Sequence, residues 1–254
     1  MGKMLNGKVA IITGGSKGIG KATAELFVQE GASIVICARG EEALRRTESE
    51  LKAMGGSILA IQADIGSVED CKRVFEETIK EFGKLDILVN NAGVSSMQTI
   101  DNISDEEFFR VMNTNLVGTF NFCREAIKYM DPNNNGAIVN VSSTTSLRPL
   151  GGIAYVASKH AINGMTRSIG LQYAGTGIRC NCVCPGPTIT EMSAASMEGD
   201  LANDAFMEKI ARRIDLTLPY CEPIDQARAI LFFASDLSAA LNGVVFACDK
   251  GISI

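Results

Sequence analysis

Short runs of apolar, β-branched residues alternate with amphipathic segments along the whole chain, a pattern that separates strands from helices. Lys8–Thr13 (KVAIIT) is the first such run, followed by a glycine-rich turn and the amphipathic stretch Ile19–Glu30. Ser33–Ala38 (SIVICA) and Ser57–Ala63 repeat the pattern, leading into predicted helices over Glu41–Met54 and Val68–Phe82. Leu85–Asn90 precedes a single long helix predicted over Asp105–Met130, and Ala137–Ser142 precedes one over Ile153–Tyr173. Ile178–Cys184 is a sixth strand, and Val244–Cys248 a last one after helix Ile224–Ser235. Near-continuous apolar strands need cover on both faces, and their alternation with helices makes the sheet parallel. The predicted fold class is α/β, a doubly wound three-layer sandwich. No composition break or linker divides the chain, so residues 1–254 read as one domain. Sheets of this kind take their ligand beyond the carboxyl ends of the strands, where the strand order switches. That singles out the loops Gly14–Gly20, Asn91–Gly93, Ser142–Gly152 and Pro185–Thr190.

Composition narrows the classes of function. With 46% hydrophobic and 21% charged residues, the 254-residue chain has the apolar content of a folded protein. The 24 Lys and Arg against 29 Asp and Glu give a net charge of −5, without the basic cluster that a run of phosphates would need. Nucleic acid is therefore not an expected partner. Apolar runs such as Ile87–Val89 fall far short of the ~20 residues that span a bilayer, and the first residues have no signal-peptide character. A soluble, cytoplasmic protein with no membrane partner is expected. Eight cysteines without an export signal read as free thiols. Cys180, Cys182 and Cys184 share one face of a strand and read as small buried apolar residues; with no CxxC and a single His, no metal site is expected.

The first strand runs into Thr13-Gly14-Gly15-Ser16-Lys17-Gly18-Ile19-Gly20. Glycines permit the sharp turn into a helix and let a pyrophosphate approach the amides at the helix N-terminus, where the dipole favours an anion. Gly14, Ser16, Lys17, Gly18, Ile19 and Gly20 are thus candidate cofactor contacts. An acid at the end of the second strand would hold the 2′-hydroxyl of NAD, whereas an Arg there accommodates a 2′-phosphate. The strand ends on Ala38 followed by Arg39, and Lys17 adds a second cation. NADP(H) is expected over NAD.

Tyr155-Val156-Ala157-Ser158-Lys159 places a phenol and an ammonium four residues apart, on one helix face. A phenol with its ordinary pKa of about 10 is a poor acid–base group near neutrality. A neighbouring ammonium favours the phenolate, so Lys159 is expected to lower the Tyr155 pKa. Together with TGGSKGIG (13–20), ADI (63–65), NNAG (90–93), Asn115 in NTNLVG, NVSS (140–143) and PGPTIT (185–190), the set resembles the short-chain dehydrogenase/reductase family over nearly the full chain.

That resemblance implies a single Rossmann-type domain with a seven-stranded parallel sheet, assembled as a homotetramer or homodimer. It implies that Tyr155 is the acid–base catalyst, that Lys159 also binds the nicotinamide ribose, and that Ser143 holds the substrate oxygen. Asn115 would hold a water that relays protons between Lys159 and solvent. Asp64 and Ile65 would contact the adenine, and Asn91, Ala92 and Gly93 the ribose region. The segment after Pro185 and Gly186 would close over the nicotinamide as a lid over about 186–222, with Thr188 and Thr190 touching the cofactor.

The expected activity is NADP(H)-dependent hydride transfer to or from a ketone or secondary alcohol on a largely apolar small molecule. A 3-oxoacyl reductase-like reaction comes first. A bile-acid hydroxysteroid dehydrogenase is the alternative, from the likeness of Ile162–Pro185, and a non-catalytic nucleotide sensor is remote because Tyr155 and Lys159 are both present. The loop from the second serine to Tyr155 is one residue short for the family, so spacing nominates Ser142 while the strand anchor nominates Ser143. Ser143 is preferred because deletions fall more easily in loops. Leu216–Glu222 lacks the family's frequent Arg and Gly, and Cys248-Asp249-Lys250-Gly251 departs from its usual C-terminal motif. His160, one helical step off the Tyr–Lys face, is set aside. Met192, Met197 and Met207 read equally as core filler or as an adaptable pocket wall.

Overall fold

The computed structural model describes residues 3–132, 135–193, 204–215 and 217–252. Met197, residues 194–203 of the expected lid and Leu216 lie outside the described residues. Seven strands form one parallel sheet: β1 (Val9–Thr13), β2 (Ser33–Ala38), β3 (Ile58–Gln62), β4 (Ile87–Asn90), β5 (Gly136–Val141), β6 (Ile178–Pro185) and β7 (Val245–Cys248). Their order is β3-β2-β1-β4-β5-β6-β7, so the winding reverses between β1 and β4.

The strands alternate their side chains between two cores, which is why they read as continuous apolar runs. Ile12, Ile34, Ile36 and Val139 pack with Phe27 of α1 (Gly18–Gln29), Leu44 and Leu51 of α2 (Glu41–Ala53), and Ile230 and Phe233 of α8 (Pro223–Ala234). Their neighbours Ile11, Val35, Leu88 and Ile138 face Phe75 of α3 (Val68–Phe82), Phe122 of α5 (Thr119–Tyr129) and Ile169 of α6 (Ile153–Gln172). The expected three-layer α/β sandwich is the fold observed. Cys180, Cys182 and Cys184 are buried on β6, and no group of potential ligands able to hold a metal occurs among the described residues. No helix among them is long and apolar enough to cross a membrane.

Two expectations require correction. The helix predicted over Asp105–Met130 is broken into α4 (Asp105–Met112), a π-helical turn (Asn113–Gly118) and α5. The wider turn buries Asn115 completely and directs its amide at the loop after β4, where Oδ1 accepts from Val94 N–H at 2.8 Å and Nδ2 donates to Val94 O at 3.0 Å. Insertions of this kind concentrate at functional sites. A further helix, α7 (Asp204–Ala211), lies within the segment read only as lid.

Candidate active site

The reversal between β1 and β4 is stitched by one threonine and one asparagine. Thr13 Oγ1 accepts from the N–H groups of Asn91 and Ala92, both at 3.0 Å. Asn91 Nδ2 donates to the carbonyls of Thr13 and Gly14 at 3.0 and 3.3 Å. Gly14 has φ +66°, and a Cβ there would stand 2.9 Å from Ala92 Cα and from the Asn91 amide. At Gly20 a Cβ would overlap the Gly14 carbonyl oxygen. Only residues without a Cβ let α1 approach so closely. The helix starts after Lys17, an exposed residue whose side chain offers no oxygen to cap the first-turn amides.

On the other side of the cleft, α6 presents Tyr155 and Lys159 one turn apart. The Lys159 side chain is only 4% exposed; its Nζ donates to the Val141 carbonyl at 2.9 Å and lies 5.6 Å from the Tyr155 ring centre. Burial brings the ammonium down to about 8. The structure separates the two serines. Ser142 Oγ donates to the Lys159 carbonyl at 2.9 Å, whereas the Ser143 hydroxyl interacts with the phenol and accepts from Thr145 N–H at 3.2 Å. Ser143 is thus the serine brought to Tyr155.

The phenol pKa is a correction. It is raised, not lowered: burial dominates, the Ser143 hydroxyl opposes it, and Cys184 adds to it. Lys159 is directed at a backbone carbonyl and is itself easily deprotonated in this setting, so burial outweighs the ammonium expected to favour the phenolate. Behind the pair, Asn115 Nδ2 donates to Ser158 Oγ at 3.1 Å, and Ser158 donates to the Tyr155 carbonyl at 2.8 Å. Ser158 therefore ties the π-turn to α6. His160 points away, exposed, with Nδ1 2.9 Å from the Val156 carbonyl.

A cavity of about 460 Å³ joins the two halves. Its walls include Gly14, Lys17, Gly18 and Ile19; Asn91, Ala92 and Gly93; Ser143, Tyr155 and Lys159; and Pro185, Gly186, Thr188 and Thr190. Ser16, Gly20, Arg39, Asp64, Ile65 and Asn115 are not part of these walls. Arg39 and Asp64 are exposed at the carboxyl ends of β2 and β3, and Gln62 Nε2 bridges to the Arg39 carbonyl at 3.0 Å. Ile65 is buried, and the Ser16 carbonyl accepts from Thr47 Oγ1 at 2.9 Å.

Sequence reasoning missed Ser95 and Val141 as wall residues, covered Pro187, Glu191, Ser193 and Tyr220 only as unnamed parts of the expected lid, and named Ser142 only as a candidate for the catalytic serine. Ser193 carried a local signal, being three residues after Thr190, whose carbonyl it caps at 2.8 Å. Tyr220 carried none, since it is held from 30 residues away by Lys250 Nζ on its carbonyl at 3.0 Å. Of the methionines, Met192 lines the cavity and Met207 lies half-exposed on α7.

The family model described as short chain dehydrogenase matches residues 8–201, which take in β1 to β6 and the Tyr155, Lys159, Ser143 and Asn115 cluster. The chain is a short-chain dehydrogenase. This oxidoreductase is 36% identical to a 3beta-hydroxysteroid dehydrogenase of Mediterraneibacter gnavus, over 97% of the chain and 95% of the relative. It is likewise 36% identical to a 3-oxoacyl-(acyl-carrier-protein) reductase of Thermotoga maritima, over 98% and 99%. Among solved structures, the short-chain dehydrogenase superposes on an actinorhodin polyketide ketoreductase variant with NADPH with a TM-score of 0.87 and 30% identity, covering 100% of this chain and 99% of that one.

Proposed function

We propose that this short-chain dehydrogenase uses NADP(H) to interconvert a ketone and a secondary alcohol on a largely apolar substrate. The observation that carries the reading is one continuous cavity with the α1 glycine loop at one end and Tyr155, Lys159 and Ser143 at the other. The cradle fits a dinucleotide. Gly14 and Gly18 line it at the uncapped N-terminus of α1, a ready site for a pyrophosphate, and Lys17 supplies positive charge. Arg39 would meet the 2′-phosphate, Lys159 the nicotinamide ribose, and Thr188 and Thr190 the nicotinamide end.

When bound, the nicotinamide supplies or accepts the hydride. Tyr155 then gives its proton to the substrate oxygen in reduction and takes it back in oxidation. A raised phenol pKa keeps that proton in place at neutral pH, which suits the reductive direction. Ser143 donates to the same oxygen as negative charge develops there. Asn115, fixed by Val94 and Ser158, would seat the water that returns a proton towards Lys159.

Val141, Pro187, Met192 and Tyr220 give the wall the apolar surface an acyl chain or a steroid would cover. Reduction of a 3-oxoacyl thioester is the first reading and oxidoreduction of a hydroxysteroid the second, each supported by a relative at 36% identity. The test is a screen of purified protein against 3-oxoacyl thioesters, hydroxysteroids, sugars and small ketones with NADPH or NADH, followed by cofactor absorbance. Turnover of an apolar ketone with NADPH is expected. Failure to turn over any carbonyl or alcohol would remove the reading.

A further inference from the structure

Behind the Ser142–Ser143 turn lies a buried polar cluster that the proposed chemistry leaves unused. It joins Ser146, on the 3₁₀ turn Thr144–Ser146 after β5, to Asn163 of α6 and to Cys182 and Cys184 of β6. All four are at most 5% exposed. Ser146 is the node. A serine hydroxyl has one proton and two lone pairs. The proton goes to the Ser143 carbonyl at 2.5 Å, because a carbonyl can only accept. One lone pair takes the Asn163 amide at 2.8 Å. Ser142 Oγ is 3.0 Å away but directs its own proton to the Lys159 carbonyl. The second lone pair of Ser146 is thereby left to the Cys184 thiol at 3.6 Å. The Cys182 thiol donates to Asn163 Oδ1 at 3.5 Å. The thiols have second acceptors, Asn163 Oδ1 at 3.8 Å for Cys184 and the Val183 carbonyl at 3.6 Å for Cys182, whereas the Ser146 proton goes to the backbone of the serine that faces Tyr155.

We propose that Ser146 is a positioning residue for hydride transfer: seated by Asn163 and Cys184, it clamps the Ser143 carbonyl and so aims the Ser143 hydroxyl at the phenol of Tyr155. The inference rests on the acid–base reading of Tyr155 given above. Ser143 has extended backbone (φ −168°, ψ 155°) and enters the 3₁₀ turn directly, so fixing its carbonyl fixes its side-chain direction. The Ser143 carbonyl also accepts the Ser146 N–H at 2.9 Å, so loss of the hydroxyl leaves it on that single turn bond and lets the Ser143 side chain swing. Displacements on the order of 1 Å of a positioning group cost about a hundredfold in rate.

The measurement is the pH dependence of kcat/KM for carbonyl reduction in Ser146→Ala, Cys184→Ala, Cys184→Ser and Tyr155→Phe, with NADPH binding followed separately by cofactor fluorescence. The titratable groups that face Tyr155 and Ser143 are Lys159 from α6 and Cys182 and Cys184 from β6. Cys184, which the neighbouring Cys182 thiol and then the Ser146 and Ser142 hydroxyls bring down to about 7 against the effect of burial, titrates below the alkaline limb. Cys184→Ser removes that titration and keeps a donor. For Ser146→Ala, kcat is expected to fall about ten- to a hundredfold with NADPH affinity retained. Its alkaline limb should move to higher pH, because the phenol loses the one hydroxyl that lowers its pKa. Both Cys184 variants also remove the thiol that raises the phenol, so they are compared with each other: the limb of Cys184→Ala should lie at higher pH than that of Cys184→Ser, which keeps a donor to Ser146.

A Ser146→Ala enzyme that loses only thermal stability or yield, with kcat and alkaline limb as in the parent, overturns the inference. If Ser146→Ala does not fold, the two Cys184 variants decide, and identical limbs in both overturn it. Tyr155→Phe separates the levels. Surviving turnover there removes the acid–base reading itself, whereas an inert Tyr155→Phe beside an unaffected Ser146→Ala removes only the clamp.

Discussion

Lys159 stands one helical turn beyond Tyr155 with its ammonium nitrogen 5.6 Å from the phenol ring centre, held by the Val141 carbonyl at 2.9 Å. Burial acts on the two groups in opposite senses, raising the phenol and bringing the ammonium down to about 8. Near and above that pH the tyrosine is the member of the pair that still holds its proton. Replacing Tyr155 with Phe removes the proton and little else. Turnover should drop by about 10²–10⁴-fold, while NADPH still binds. NADPH fluorescence reads the binding cleanly because the chain contains no Trp. Persistent turnover would show that another group moves the proton.

The same burial predicts an optimum in stability against pH. Cys37, Cys71 and Cys123 are pushed from 9.0 up to about 12, each mainly by burial. Between those values the folded thiols keep protons that the unfolded chain has lost, so stability falls as pH rises above 9. Lys159 works the other way. Its pKa drops from 10.5 to about 8, so the folded state has released a proton the unfolded state still binds, and stability rises from about pH 8. Cys180, Cys182, Cys221 and Cys248 are raised as well, whereas Cys184 is brought down to about 7 and acts with Lys159, which gives a modest rise between about 7 and 9 and a decline beyond. Urea midpoints from pH 6 to 10.5 should trace this shape, and Lys159→Met should keep only the part of the rise due to Cys184 while keeping the decline. Stability that continues to climb through pH 10 would contradict the assignment.

The strands were legible because both faces of the sheet are covered, so β1 and β2 appear as unbroken apolar runs, and the glycine loop was legible because close approach leaves no alternative residue. The division of Asp105–Met130 was not. Asn115 leaves the helical register to reach Val94, a partner 21 residues away that no helical periodicity encodes. The choice between Ser142 and Ser143 depended on which hydroxyl the Lys159 carbonyl would capture, again a tertiary fact. Helical spacing put Lys159 beside Tyr155 but said nothing of how far the buried Lys159 and the half-buried Tyr155 are withdrawn from water, and that desolvation decides the direction of the phenol shift.

Two glycine-to-alanine changes should behave oppositely. At Gly20 the new Cβ would overlap the Gly14 carbonyl oxygen and stand 2.5 Å from the Asn91 amide, neither of which can yield without opening the β1–β4 junction. A loss of roughly 1–3 kcal/mol in stability is expected, together with weakened NADPH binding. Gly164 lies exposed in the interior of α6, and a methyl group added there would meet nothing within 4 Å. Alanine at that position should stabilise the fold by about 0.5–1 kcal/mol through helix propensity and reduced unfolded-state entropy. Chemical denaturation of the two variants checks both signs.

Arg39 sets the choice between the two nicotinamide dinucleotides in the proposed function. It follows Ala38, the last residue of β2, and stands exposed beside the end of β3, where its carbonyl is pinned by Gln62. A guanidinium in that place favours a 2′-phosphate, and a carboxylate would repel the phosphate while accepting a hydrogen bond from a free 2′-hydroxyl. A charge-assisted contact of roughly 1.5–3 kcal/mol is at stake, equivalent to about ten- to a hundredfold in affinity. Arg39→Asp should therefore lower kcat/KM for NADPH by about that factor and leave NADH equal or improved. Lys17, on the glycine loop, remains to attract the pyrophosphate of either dinucleotide, so the variant should stay active with NADH. Undiminished preference for NADPH in Arg39→Asp would mean that Lys17 or another cation reads the 2′-phosphate.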